Sequence, residues 1–74
     1  MFLNQLQKGQ KAVIKHFDIQ HIPLKLIELG CLPDSRVELM QIAPLGCPMY
    51  FNINESYVAI RTETAKQIEI EILL

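Results

Sequence analysis

Apolar and polar positions alternate along most of the second half of the chain, whereas residues 22 to 29 repeat on a helical period. MYFNIN (49–54) sets Met49, Phe51 and Ile53 against Tyr50, Asn52 and Asn54, and YVAIR (57–61) turns Val58 and Ile60 inward. The intervening Asn-Glu-Ser joins these two strands into a hairpin. IEIEIL (68–73) is the cleanest strand, with Ile68, Ile70 and Ile72 on one face and Glu69 and Glu71 on the other. RVELMQIA (36–43) alternates imperfectly, with Val37 and Leu39 on one side and Met40 and Ile42 on the other. That pattern predicts a curved strand between two buried faces. KAVIKHF (11–17), rich in β-branched and aromatic residues, predicts a first strand after the turn at Lys8-Gly9-Gln10.

Between the first two strands, Ile22, Leu26 and Leu29 recur at i, i+4 and i+7, with Leu24 and Ile27 widening the stripe. This predicts a helix of about two turns. Pro23 suits its first position and Gly30 the left-handed residue past its end. Thr62 to Gln67 supplies a single helical turn before the last strand. Five short strands with one helix after the first must curl to cover their own apolar face. The fold class expected is therefore all-β, a small SH3-like barrel of about five antiparallel strands.

APLGCP (43–48) interrupts the strands with a shaped loop. Ala43-Pro44 and Cys47-Pro48 restrict the backbone on both sides of Gly46, which is free to adopt a positive φ, and Leu45 sits at the tip. A rigid loop with an apolar tip reads as a docking element. Leu45 and Tyr50 are the surface candidates, while Met49 and Phe51 belong mostly to the core.

A chain of 74 residues is one small domain (1–74), near the size at which a hydrophobic core is only just sufficient. At 50% hydrophobic residues it is too apolar for disorder and apolar enough for a partner, or a second copy, to cover part of it. Residues 1 to 36 carry five Lys/Arg against three Asp/Glu, and residues 37 to 74 two against five. Neither half is basic enough for nucleic acid. The amino terminus has neither a secretory signal pattern nor a spanning segment, so the expected location is the cytoplasm, without membrane insertion. There Cys31 and Cys47 stay reduced, and the Asn54-Glu55-Ser56 sequon is a turn.

His16, His21, Cys31 and Cys47 are metal-ligand types, but no pair among them has C-x-x-C or H-x-x-x-H spacing, so no metal or other cofactor is expected. His16 in a strand and His21 before a helix read as surface residues, and a buried cysteine as a small hydrophobe. The chain has no Gly-rich phosphate loop, no nucleophile elbow and no concentrated acid–base pair, so no enzymatic activity is expected.

Three motifs in order give the chain a resemblance to the ferrous iron transport protein A family, FeoA. LIELGCLPDSRVEL (26–39) is similar to the family's helix, Leu-Gly, Leu-Pro-Gly and following strand; APLGCP (43–48) to its APLGDP; and VAIRTETAKQIEI (58–70) to its Leu-Arg, acidic-Ala and terminal-strand signature. Asp34 stands where the family has glycine, which Asp tolerates because it visits the left-handed region. Cys47 stands where the family has aspartate, so no carboxylate role carries over to that position.

The resemblance implies a cytosolic accessory or regulator of bacterial ferrous iron uptake. Its partner would be the FeoB transporter, through the cytosolic GTP-binding domain, and it would have no reaction of its own. Leu45, Gly46, Cys47, Tyr50 and Arg61 are the residues expected to make the contact. The alternative is a free-standing metal-sensing SH3-like domain, related to the carboxy-terminal domain of metal-dependent repressors. The chain lacks room for their DNA-reading helix-turn-helix. The family's iron connection keeps a transition metal ion within that alternative alone.

Overall fold

The computed structural model describes residues 1–73. Five strands, β1 (Lys11–His16), β2 (Arg36–Ile42), β3 (Met49–Ile53), β4 (Ser56–Ile60) and β5 (Glu69–Leu73), form one antiparallel sheet in the order β4-β3-β2-β1-β5. Two short helices, α1 (Leu24–Glu28) and α2 (Thr62–Ala65), precede β2 and β5 respectively. The inner faces follow the alternation of the sequence. Met49, Phe51 and Ile53 of β3, Val58 and Ile60 of β4, and Ile70 of β5 all join one buried cluster.

On β2 the inner residues Val37 and Leu39 are buried as expected. Its second face is not. Met40 is half-buried, and the β2–β3 register shift between Leu39 and Gln41 leaves it unpaired and moves Ile42 to the inner phase opposite buried Met49, where it stays exposed at the end of the strand. The imperfect alternation therefore marks a β-bulge, which bends a strand and re-aims its side chains, rather than a strand covered on both sides. A second shift between Ile14 and His16 does the same to β1 against β5, and together the two curl the sheet around the core.

The helix is shorter than its apolar period suggests. Pro23, with φ −56° and ψ 137°, precedes the first helical residue instead of occupying it, and a 3-10 turn at Ile19–His21 supplies part of the approach. Ile22 and Leu26 are buried, but Leu24 faces solvent and does not widen the stripe. The far end matches expectation. Gly30 has φ +101°, Gly30 N–H donates to Ile27 O at 3.1 Å and Cys31 N–H to Leu26 O at 3.0 Å. These are the paired bonds of a Schellman cap, and buried Leu26 and Cys31 supply its apolar contact. Downstream, Leu32-Pro33-Asp34-Ser35 turns the chain into β2. Ser35 N–H donates to Leu32 O at 3.0 Å and Asp34 adopts φ +72°.

Residues 1–6 contribute Leu3 and Leu6 to the core, which the sequence reading did not anticipate. Leu3 is fully buried and Leu6 nearly so. Leu3 N–H donates to Ile68 O at 2.9 Å and Ile70 N–H to Met1 O at 2.8 Å, while Phe2 bridges Glu69 antiparallel. The amino-terminal segment thereby covers part of the outer edge of β5.

Candidate functional site

The APLGCP loop links β2 to β3, and its shape follows from local bonds. Gly46 N–H donates to Ala43 O at 2.8 Å and Ala43 N–H to Pro48 O at 3.1 Å, closing the loop on itself. Gly46 has φ +90°, the conformation that glycine adopts at low cost. Leu45, at the tip, is 97% exposed, the most exposed large apolar side chain among the described residues.

A second pair of bonds ties this loop to the start of α2. Thr62 N–H donates to Cys47 Sγ at 3.4 Å, and Thr62 Oγ1 donates to Gly46 O at 3.3 Å. Arg61, which precedes α2, is thereby carried to the base of the loop. The Thr62 amide, then its hydroxyl, and to a smaller degree the Arg61 charge stabilise the Cys47 thiolate and draw its pKa below the ordinary cysteine value, with Glu63 opposing. Cys47 is exposed and free, whereas Cys31 is free and buried, and burial pushes the Cys31 thiol up from 9.0 to about 11.

Leu45, Gly46 and Cys47 thus lie on one loop that Thr62 bonds to the start of α2, with Arg61 next to Thr62 in the chain. Tyr50 stands on the outer face of β3, opposite Gln41 of β2 and Ala59 of β4. Its ring stacks on Tyr57 with centroids 5.9 Å apart and planes 17° from parallel. Met49 and Phe51 are buried, as their phase requires. Behind Arg61 a shallow open depression is lined by His21, Pro23, Arg61, Glu63, Thr64 and Gln67.

Thr62 is the residue that sequence reasoning missed. It meets the loop across 15 positions, and no spacing rule announces a threonine that locks a distant turn. Among the described residues, no group of three or more His, Cys, Asp or Glu is placed to hold a metal ion, and no helix is long and apolar enough to cross a membrane.

Comparison with known proteins gives this arrangement its context. The FeoA domain family matches residues 1–72. A fusion of Fe(2+) transport protein A with the Fe(2+) transporter FeoB, from Porphyromonas gingivalis, is 32% identical over 74 residues. That match takes in 99% of this chain but only 9% of the fusion protein. The solution structure of FeoA from Chlorobium tepidum superposes with a TM-score of 0.89 at 26% identity, covering 100% of this chain and 71% of that one. The FeoA of Stenotrophomonas maltophilia, a prokaryotic SH3-domain protein solved with zinc, has a TM-score of 0.78. At 24% identity, over 96% of this chain and 89% of that one, it shares the fold. With a family match spanning nearly its whole length and the five-stranded SH3-like sheet to go with it, this chain belongs to the FeoA family.

Proposed function

We propose that this chain is a cytosolic accessory of bacterial ferrous iron uptake that docks on an FeoB-type transporter, through the transporter's GTP-binding domain. The contact surface is the 43–48 loop with Leu45, Gly46 and Cys47, together with Arg61 and Tyr50. The observation that carries this reading is Leu45, an apolar side chain 97% exposed on a loop held by four hydrogen bonds. A loop already ordered loses little entropy when it binds, so its apolar tip contributes most of its transfer free energy to the complex. The Porphyromonas gingivalis fusion supports the choice of partner, since a shared chain keeps a related domain at high effective concentration beside FeoB. In this role the protein acts by binding and has no reaction of its own.

Titration of the purified protein against the cytosolic GTP-binding domain of its cognate transporter, with GDP or a GTP analogue, tests the proposal. Leu45→Asp is expected to weaken saturable binding by about tenfold or more. The fold should survive, because Leu45 belongs to no part of the buried cluster. Absence of binding by folded wild type in both nucleotide states would rule out docking to that domain.

A further inference from the structure

The two edges of the sheet are treated differently. On β5, Met1–Leu3 occupies part of the outer edge through two backbone bonds and a bridge, and Glu69 and Glu71 point outward. On β4 the outer edge is open. Its sequence, Ser-Tyr-Val-Ala-Ile, contains no charge, no proline and no bulge, the devices by which edge strands usually avoid pairing.

The hairpin sets which backbone groups face that edge. Asn54 and Glu55, with φ +49° and +69°, form a two-residue turn flanked by the pair Ile53–Ser56. Such a turn makes the flanking pair hydrogen-bonded, and pairs alternate along an antiparallel ladder. Asn52–Tyr57 and Tyr50–Ala59 are therefore the non-bonded pairs. The N–H and C=O groups of Tyr57 and Ala59 point away from β3, and among the described residues no hydrogen bond from elsewhere in the chain reaches them.

We infer that β4 pairs antiparallel with β4 of a second copy of this chain, about a two-fold axis through Val58. In that register Tyr57 faces Ala59 of the partner subunit and exchanges two backbone hydrogen bonds with it, and the symmetric pair adds two more. The exposed Tyr57 ring meets a residue small enough to leave it room. The ends of the strand select the occupant. Glu55 and Arg61, both exposed, lie three positions either side of Val58, so each Glu55 stands opposite an Arg61 and each Arg61 opposite a Glu55. Opposite charges facing across a strand pair are favourable, and like charges are not. A slip of two residues in either direction leaves both acids and both bases without this match, and in one direction sets Tyr57 against Tyr57. The strand is thus complementary to itself in one register.

Sedimentation velocity and light scattering of the full chain across concentration, at low and high salt, test the pairing. Wild type is expected to show a reversible monomer–dimer equilibrium that weakens with salt. Ala59→Pro removes a donor at the open edge without touching the β3–β4 ladder and should leave only monomer. Arg61→Glu, which alters an exposed side chain, should raise the dimer dissociation constant by about tenfold, and adding Glu55→Arg to it should largely restore dimerisation. Hydrogen exchange should show the Tyr57 and Ala59 amides protected only at concentrations where dimer forms. A monomer at every attainable concentration would overturn the inference, as would a dimer indifferent to both Ala59→Pro and Arg61→Glu. Protection of those two amides only on adding the transporter's GTP-binding domain would also overturn it and assign the edge to that partner. Mass and exchange are read without the transporter in the primary experiment, so failure here is separable from failure of docking.

Discussion

Cys47 and Cys31 are the same residue type in opposite surroundings, and the difference is set by what each sulfur touches. Cys47 accepts from the Thr62 amide in open solvent, which favours its thiolate, whereas Cys31 is enclosed in the core, which favours its thiol. Alkylation by iodoacetamide, followed by mass spectrometry against pH, should therefore label Cys47 first, with a midpoint below the ordinary cysteine value. Cys31 should react only on unfolding or at strongly alkaline pH. Thr62→Val keeps the amide donor and deletes the hydroxyl, so it should move the Cys47 midpoint part of the way back up. A midpoint unchanged by Thr62→Val would show that the hydroxyl bonds only Gly46 O. Neither cysteine's environment was visible in the sequence. That Gly46 would adopt a positive φ was visible, because two prolines around Leu-Gly leave few other ways to turn.

Among the elements, α1 shows where local pattern runs out. Its carboxy-terminal stop was readable, because glycine after an apolar stripe has a steric reason to be there. Its start was not, because proline before a helix fits both the first helical position and the residue ahead of it, and only the ψ of 137° at Pro23 separates them. The cap also has a tertiary guard. Asn54 Nδ2 donates to Gly30 O and to Ser35 Oγ, each at 3.3 Å, tying the β3–β4 turn to the helix end. A Cβ added at Gly30 would stand 2.9 Å from that nitrogen, and φ is +101°. Gly30→Ala should therefore lower stability in urea unfolding by about 1–2 kcal/mol, from backbone strain together with the displaced amide. Full wild-type stability in Gly30→Ala would mean that the helix end relaxes to a different cap. The bulge in β2 belongs to the same scale. Alternation faltered at Met40, but a slip of phase is equally consistent with two covered faces, and pairing with β3 decided between them.

For the whole molecule, the core is completed by a segment that carries no strand pattern. Leu3 is fully buried and held by the backbone bond to Ile68, so Leu3→Ala should cost about 2–4 kcal/mol, as much as truncating a strand residue such as Ile70. Thermal or urea unfolding of both variants makes the comparison. A negligible loss for Leu3→Ala would mean that the amino-terminal segment is dispensable to the core. At this scale the open edge of β4 presents backbone donors and acceptors and the 43–48 loop an apolar side chain, and the two surfaces meet at Arg61.

The sequence by itself determined the parts governed by neighbours along the chain. These are the strand phases that bury Met49, Phe51, Ile53, Val58, Ile60 and Ile70, the glycine stop of α1, and the rigid turn that exposes Leu45. Each rests on side-chain periodicity or backbone sterics over a few residues. Only the tertiary structure decided that Thr62 locks the loop, that Met1–Leu3 covers part of β5 while β4 stays open, and that β2 bulges at Met40. Those outcomes depend on which segments meet after the sheet has curled, and contacts between residues distant in sequence leave no period to read.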